Sequence, residues 1–175
     1  GYNCVIVMPD TMSVERQKLI KSYGATVVLT DGKLGMNGAI KKAEEIKEST
    51  ENSIIAGQFC NPSNPKVHFE TTGPEIYRDL DGKIDILVSG VGSGGTVSGC
   101  GKYLKNQKPD IRVVAVEPKN SPFLSEGKSG SHKIQGIGAG FVPEILDKTA
   151  YDEIITAGDD DAYEYARLVC KTEGL

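Results

Sequence analysis

The stretch "SGVGSGGTVSG", residues 89–99, has the features of a turn that binds an anion. It follows the apolar run "KIDILV" and precedes a segment with helical spacing, so it joins a predicted strand to a predicted helix. Gly90, Gly92 and Gly95 form a G-x-G-x-x-G pattern, and the acidic residue Glu117 follows at about the distance of a ribose ligand. This arrangement is typical of a dinucleotide-binding turn, but the same turn can hold another phosphate group.

The chemistry of the loop identifies an anion without naming it. Glycines let the backbone approach the anion closely, successive N–H groups can point at it, and the hydroxyls of Ser93 and Thr96 add two donors. Three strand-like runs precede the loop, whereas a dinucleotide fold usually places such a loop after its first strand. The pair Gly94–Gly95 followed by Thr96 favours a single phosphate group. On pattern alone, a tight turn without a ligand stays open.

Strand and helix patterns alternate along the whole chain. The predicted strands are short apolar runs, and amphipathic or turn-bounded helices follow them. Because the runs are continuously apolar rather than alternating, the sequence predicts an α/β fold with open, mostly parallel sheets and flanking helices. The predicted strands are residues 4–9, 26–30, 53–57, 84–89, 112–118 and 152–158, and helices are expected at about 65–80 and from the glycine loop to about Asn106.

Composition excludes several classes of protein. The net charge of −4 makes a nucleic acid an unfavourable partner, and no apolar run is long enough for a membrane span. The four cysteines are scattered without metal-ligand spacing, so we predict no metal site and expect reduced thiols in the cytoplasm. His68 and His132 suggest general bases, but we expect structural or surface roles for both.

Several stretches resemble one family of enzymes. "GSGGT", residues 92–96, is similar to the phosphate-binding loop of the cysteine synthase family, the O-acetylserine sulfhydrylases, although that family usually has Thr where this chain has Ser93. These are fold-type II enzymes that depend on pyridoxal phosphate (PLP). The resemblance extends over essentially all 175 residues, and its most specific segments are "MPDTMSVERQKLIKSYGA" (8–25), "LTDGKLGMNGAIKKAEEI" (29–46), "QFCNPSNPKVHFETTGPEI" (58–76) and "HKIQGIGAGFVPEILD" (132–147).

The resemblance implies a set of site residues. Those expected to hold the PLP phosphate are Gly92, Ser93, Gly94, Gly95 and Thr96. Gln58, with Phe59 beside it, matches a glutamine near the carboxylate of the amino-acid substrate. Gly136 matches a glycine of a loop that borders the active site, and Met36 matches a segment that faces it.

The resemblance also implies a domain organisation. Residues 1–57 would be part of a smaller, mobile N-terminal domain, and residues 58–175 part of the larger PLP-phosphate-binding C-terminal domain, with PLP in the cleft between them. The chain looks like an internal fragment of a tryptophan synthase β-like architecture, truncated at both ends. The family's Schiff-base lysine and its asparagine loop would lie N-terminal to it, so no catalytic residue is predicted here and the isolated chain is expected to be inactive.

The implied reaction is a β-replacement in which O-acetyl-L-serine and sulfide give L-cysteine and acetate. The family is usually homodimeric and can bind the C-terminal tail of serine acetyltransferase. Three alternatives stay open: cystathionine β-synthase or O-phosphoserine sulfhydrylase of the same fold, an NAD-dependent oxidoreductase, and a non-catalytic remnant that acts as a binding module. The segment "HFETTGPEI", residues 68–76, favours the acetylserine branch.

Overall fold

The structure is a computed structural model that describes residues 1–175. The chain divides into two compact units, Gly1–Ala56 and Gly57–Leu175. The predicted assignment of residues 1–57 to a mobile domain and of residues 58–175 to a cofactor domain concerns function, and it stays a prediction.

The first unit is a two-stranded parallel sheet with helices. Strands β1 and β2 pair in parallel with Val7 opposite Val28, as their apolar runs predict. Helix α1 begins after Ser13, whose Oγ accepts a hydrogen bond from the amide of Arg16 at 3.3 Å. The elements are β1 (Val5–Pro9), α1 (Val14–Ser22), β2 (Thr26–Thr30), a 3₁₀ turn (Gly32–Leu34) and α2 (Gly35–Glu48).

The strand predicted at residues 53–57 does not form. Residues 53–56 have no regular structure, and the side chain of Ile54 is 92% exposed. A strand requires a neighbour to pair its backbone N–H and C=O groups, and the sheet of this unit contains β1 and β2 alone. The run at residues 53–57 therefore has the composition of a strand, but it does not form one because no neighbouring strand pairs with it.

The second unit is a three-stranded parallel sheet with helices. The strand order is β3-β4-β5, and both pairs are parallel, which agrees with the predicted fold class. The elements are α3 (Ser63–Val67), a π-helical segment (His68–Thr72), α4 (Gly73–Asp79), β3 (Ile86–Gly90), α5 (Gly95–Gln107), β4 (Arg112–Pro118), α6 (Phe123–Glu126), β5 (Glu153–Ala157) and α7 (Asp159–Glu173).

The helical run predicted at 65–80 begins earlier and contains a wide turn. It extends from Ser63 to Asp79, and in the π-helical segment the amide of Gly73 donates to the carbonyl of His68, five residues back. Pro74 explains the wide turn, because it has no N–H to donate and its ring would clash with the carbonyl four residues earlier.

The core of the second unit forms where α5 packs on the sheet. Val97, Cys100 and Leu104, on one face of α5, are all fully buried, and Val113 and Ala115 of β4 are buried with them. The last helix, α7, differs from α5, since it has no buried residue and Leu168 is 48% exposed. No helix of the chain combines the length and the apolar character that crossing a membrane requires.

Gly99 and Gly101 allow α5 to pack closely against two different neighbours. A Cβ at Gly99 would overlap the carbonyl of Pro65 in α3, and a Cβ at Gly101 would meet the carbonyl of Ala150, which precedes β5. Gly101 therefore lets α5 approach the sheet, whereas Gly99 lets it approach helix α3.

Removing the Leu104 side chain should destabilise the protein strongly. Because Leu104 is fully buried in the core of the second unit, we expect Leu104→Ala to lower the free energy of unfolding by about 2–5 kcal/mol. Urea unfolding of the intact protein measures this change. The control is Gln107→Ala at the exposed end of α5, expected within about 0.5 kcal/mol of wild type. Equal losses in the two variants would contradict the assignment of the core.

Asp152 should make stability depend on acid pH. Its carboxylate contacts the ammonium of Lys105 and accepts the amide of Val113 at 2.7 Å, and these bonds lower the pKa of Asp152. Since the folded-state pKa is depressed, the contribution is present above the ordinary carboxyl pKa of about 3.9 and is lost as pH falls through the lowered value.

We therefore expect Asp152→Asn to lower the thermal midpoint at pH 7, and the difference from wild type to shrink as the pH falls below about 4. Thermal unfolding across pH measures both effects. Glu51→Gln, at an exposed carboxylate, provides a matched control and should change little at either pH. A pH-independent difference for Asp152→Asn would exclude the titration of this carboxylate as its cause.

Candidate phosphate-binding site

The glycine loop turns β3 directly into α5. Gly94 has φ of 83° and ψ of −1°, a left-handed conformation, and α5 begins at the next residue. The first helical hydrogen bond runs from the amide of Ser98 to the carbonyl of Gly94 at 3.0 Å. The preceding amides, from Gly92 to Val97, have no acceptor within the chain. These N–H groups and the positive end of the helix dipole can therefore bind an anion.

Two hydroxyls accompany these amides. Ser93 is half-buried, and its Oγ lies 2.9 Å from the side-chain nitrogen of Asn64. Thr96 is exposed, and its Oγ1 lies 3.4 Å from Nε2 of His68. The loop thus offers hydrogen-bond donors of two kinds, backbone amides and side-chain hydroxyls, which is the donor set that a phosphate group requires.

Close packing holds this loop in position. A Cβ at Gly92 would overlap the carbonyl of Gly136, so these two candidate residues lie side by side. The loop that contains Gly136 is fastened to the end of β3 by the amide of Gly138, which donates to the carbonyl of Val91 at 3.0 Å. Only a residue without a side chain at position 92 permits this approach.

The turn that carries Gln58 lies beside the glycine loop. The carbonyl of Gln58 accepts a hydrogen bond from the side chain of Asn64 at 2.8 Å, and the Gln58 side chain is exposed. Phe59 is half-buried, and its ring packs edge-to-face on Phe141 with centroids 5.1 Å apart. The carbonyl of Phe59 accepts the amide of Ile145 at 3.3 Å, which ties this turn to the segment before β5.

The structure thus brings together most of the candidate residues within the second unit. The phosphate loop is linked to Gln58 through Asn64, and it directly contacts Gly136. Met36 lies in the first turn of α2 in the first unit and is half-buried there. The roles assigned to all of these residues stay predictions.

Asn64 is the residue that sequence reasoning missed. The two Asn-Pro pairs in "NPSNP", residues 61–65, indicate turns and nothing more by themselves. The signal that could have identified Asn64 is its place in the segment 58–76, which carries the family resemblance and contains a helix start. Its side chain contacts both Gln58 and Ser93, and no periodicity predicts such a contact across 29 residues of chain.

The carboxylate of Glu117 is occupied by hydrogen bonds within the protein. It is 1% exposed, and its carboxylate accepts the amides of Leu124 at 2.7 Å and Ser125 at 3.0 Å as well as the hydroxyl of Ser125. These are the N-terminal donors of α6, so Glu117 caps that short helix. This use of its oxygens removes the acid on which a dinucleotide interpretation of the G-x-G-x-x-G pattern depends.

The two histidines take part in local hydrogen bonds. His132 Nε2 lies 3.2 Å from the carbonyl of Gly138, within the loop that borders the glycine turn. His68 bridges Thr72, at 3.0 Å from Nδ1, and Thr96. His68 therefore contacts a candidate phosphate residue, a position that the sequence did not predict.

Burial raises the pKa of the Cys100 thiol to about 11, so this cysteine is a poor nucleophile at neutral pH.

The chain belongs to the family of pyridoxal-phosphate dependent enzymes, which it matches over residues 1–175. It is 51% identical over 175 residues to a cysteine synthase of Flavobacterium sp. and 53% identical over 176 residues to a cysteine synthase of Staphylococcus aureus. These alignments cover 100% of this chain but 57% and 56% of the two relatives. The chain thus spans little more than half the length of the curated relatives it matches.

A solved structure is also closely similar. A hydrogen sulfide-producing enzyme from Fusobacterium nucleatum superposes with a TM-score of 0.96 at 46% sequence identity, covering 99% of this chain and 59% of that chain. The predicted membership of a PLP-dependent enzyme family and the fold-type II architecture are therefore confirmed, and PLP is the cofactor of the family. The loop fits the phosphate of this cofactor, because its unpaired amides and two hydroxyls are all donors.

Substituting Gly94 should impair cofactor binding as well as stability. An alanine at φ of 83° is strained, and its Cβ would also lie 2.7 Å from Cδ1 of Leu146. Gly24 has the same φ, but a Cβ there would meet nothing within 4 Å, so Gly24→Ala isolates the strain alone. We expect Gly24→Ala to cost about 1 kcal/mol in unfolding free energy and to leave PLP affinity unchanged.

For Gly94→Ala we expect a larger loss of stability and at least about tenfold weaker PLP binding, because displaced amides would no longer converge on the phosphate. Thermal unfolding and titration of the intact apoprotein with PLP measure the two effects. Unchanged PLP affinity in a folded Gly94→Ala protein would exclude this loop as the phosphate site.

Proposed function

We propose that the protein to which this chain belongs is a PLP-dependent cysteine synthase. It would convert O-acetyl-L-serine and sulfide to L-cysteine and acetate. The observation that carries this proposal is the identity of 51% and 53% with cysteine synthases of two bacteria across the whole chain. The geometry of the glycine loop supports it, since the unpaired amides suit a phosphate group.

The second unit would hold the cofactor by its phosphate. The amides that precede Ser98, the Ser93 hydroxyl and the Thr96 hydroxyl would donate to the phosphate oxygens, and the dipole of α5 would favour the negative charge. When bound, PLP supplies a conjugated ring that stabilises negative charge at the α-carbon of an amino acid. In this proposal residues 58–175 are part of the larger, cofactor-binding domain.

Other residues would orient the amino-acid substrate. The exposed side-chain amide of Gln58 would donate to the substrate carboxylate, and the packing of Phe59 on Phe141 would keep this turn in place. Gly136 would let the backbone border the substrate closely, and Met36 would supply an apolar surface from residues 1–57, part of the smaller mobile domain. The support for these roles is the match to the family's segments together with the position of Gln58 and Gly136 beside the phosphate loop.

We further propose that the protein is a cytoplasmic homodimer that can bind the C-terminal tail of serine acetyltransferase. The family resemblance supports these three proposals. Helix α7 leaves apolar residues exposed, among them Leu168 and Val169, and this surface is available for contact with another subunit.

Three other reactions compete with the proposal. Cystathionine β-synthase and O-phosphoserine sulfhydrylase share the fold, although the segment at residues 68–76 favours the acetylserine branch. The similarity to a hydrogen sulfide-producing enzyme adds sulfide release as the third. All of these reactions would use the same phosphate loop, so the loop does not distinguish them.

Steady-state assays of the intact protein loaded with PLP distinguish these reactions. We expect L-cysteine to form fastest from O-acetyl-L-serine and sulfide, because the whole-chain identity is to cysteine synthases. Parallel assays replace the donor with O-phosphoserine, replace sulfide with homocysteine, or supply L-cysteine alone and measure sulfide release. A higher kcat/KM in any parallel assay would replace the proposed reaction with that one, and failure to bind PLP would indicate a non-catalytic remnant.

A further inference from the structure

The side-chain amide of Asn64 lies between the two functional segments of the second unit. Its Nδ2 is 2.8 Å from the carbonyl oxygen of Gln58 and 2.9 Å from Oγ of Ser93. Asn64 is half-buried in the first turn of α3, and it belongs to neither of the segments that it joins. The two N–H bonds of one amide group are therefore shared between a candidate substrate turn and a candidate phosphate loop.

The chemistry of the partners determines the direction of both hydrogen bonds. The carbonyl oxygen of Gln58 can only accept, so the atom of Asn64 that faces it must be the NH₂ group. The same NH₂ group faces Ser93, whose Oγ must then accept. Because this bond occupies a lone pair of Oγ, the hydroxyl hydrogen of Ser93 is directed away from Asn64 and can donate elsewhere.

The rest of the Asn64 side chain is confined by packing. Its Oδ1 lies against Gly95, where a Cβ would overlap it. The backbone amide of Asn64 donates to the carbonyl of Asn61 at 3.0 Å, which fixes the start of the helix from which the side chain projects. Asn64 therefore reaches Ser93 from a constrained position and cannot follow the hydroxyl if it rotates.

We infer that Asn64 is a positioning residue, which keeps the hydroxyl of Ser93 as a donor toward the phosphate of PLP and couples the Gln58 turn to the phosphate loop. This inference rests on the proposed function. The NH₂ group of Asn64 already donates to Gln58 and Ser93, so Asn64 would not itself donate to the phosphate. It acts through Ser93, by making one orientation of a freely rotating hydroxyl the favoured one.

The effect should appear only with a ligand that carries a phosphate. Without Asn64 the carbonyl of Gln58 loses the donor that Asn64 provides, and no donor holds the Ser93 hydroxyl in one orientation, so its hydrogen is free to rotate away from the phosphate. A hydrogen bond to a charged oxygen is stronger than a neutral one, so loss of this donor should weaken PLP binding about tenfold. Pyridoxal, which lacks the phosphate, should bind about equally well to the wild type and to the variant.

The experiment titrates the intact apoprotein with PLP and with pyridoxal. The variants are Asn64→Ala, Ser93→Ala and the double variant, and Asn106→Ala on the exposed end of α5 is the matched control. We expect about tenfold weaker PLP binding in Asn64→Ala with pyridoxal affinity kept, and no further loss when Asn64→Ala is added to Ser93→Ala. If Asn64→Ala does not fold, Asn64→Ser, which keeps a small polar residue at the helix start, takes its place.

Two results would overturn the inference. Equal weakening of PLP and pyridoxal would give Asn64 a general structural role, and losses that add in the double variant would show that Asn64 does not act through Ser93. The proposed function fails by a different result, namely a wild-type protein that binds PLP no better than pyridoxal. In that case the inference falls with it.

Discussion

The buried contact between α5 and the parallel sheet is the constraint on which the second unit depends. Because Val97, Cys100 and Leu104 must face β3 and β4, the chain has to turn from a strand into a helix within a few residues. The left-handed conformation of Gly94 makes this turn possible. The same turn leaves a row of amides without acceptors, so the packing of the core and the ability to bind an anion have one origin.

Much of the fold could be predicted because parallel sheets leave a strong pattern in sequence. The runs at 112–118 and 26–30 are rich in β-branched apolar residues, and both are strands with those bounds. The run at 53–57 has similar composition, yet it is not a strand, because pairing depends on a neighbour and not on local preference. The wide helical turn at His68 is not evident from apolar spacing either, since it depends on the N–H that Pro74 lacks.

The candidate site shows the same limit. Local chemistry identifies the glycine loop and its two hydroxyls, because glycine and hydroxyl residues at a strand-to-helix turn are informative by themselves. Glu117 fits a ribose ligand by spacing alone, and its burial beneath α6 shows that spacing does not define a partner. Asn64 could not be found by either route, since its contacts join residues that are distant in sequence. Similarity to known enzymes identifies the family, but the orientation of individual hydrogen bonds comes from the geometry.

The π-helical segment at His68–Thr72 allows one continuous helical run to satisfy two different packing requirements. An α-helix advances by about 100° per residue, so the extra residue in a wide turn rotates everything after it. Before the wide turn, Asn64 faces the glycine loop and contacts Ser93. After the wide turn, Gly73 faces Tyr103 of α5, and a Cβ added at Gly73 would lie 2.8 Å from Cβ of Tyr103. In a regular helix of the same length, Asn64 and Gly73 could not both face their partners, because one of the two would point in a different direction. The irregular turn therefore rotates the second half of the helical run, so that a single segment contacts the glycine loop at one end and packs on α5 at the other.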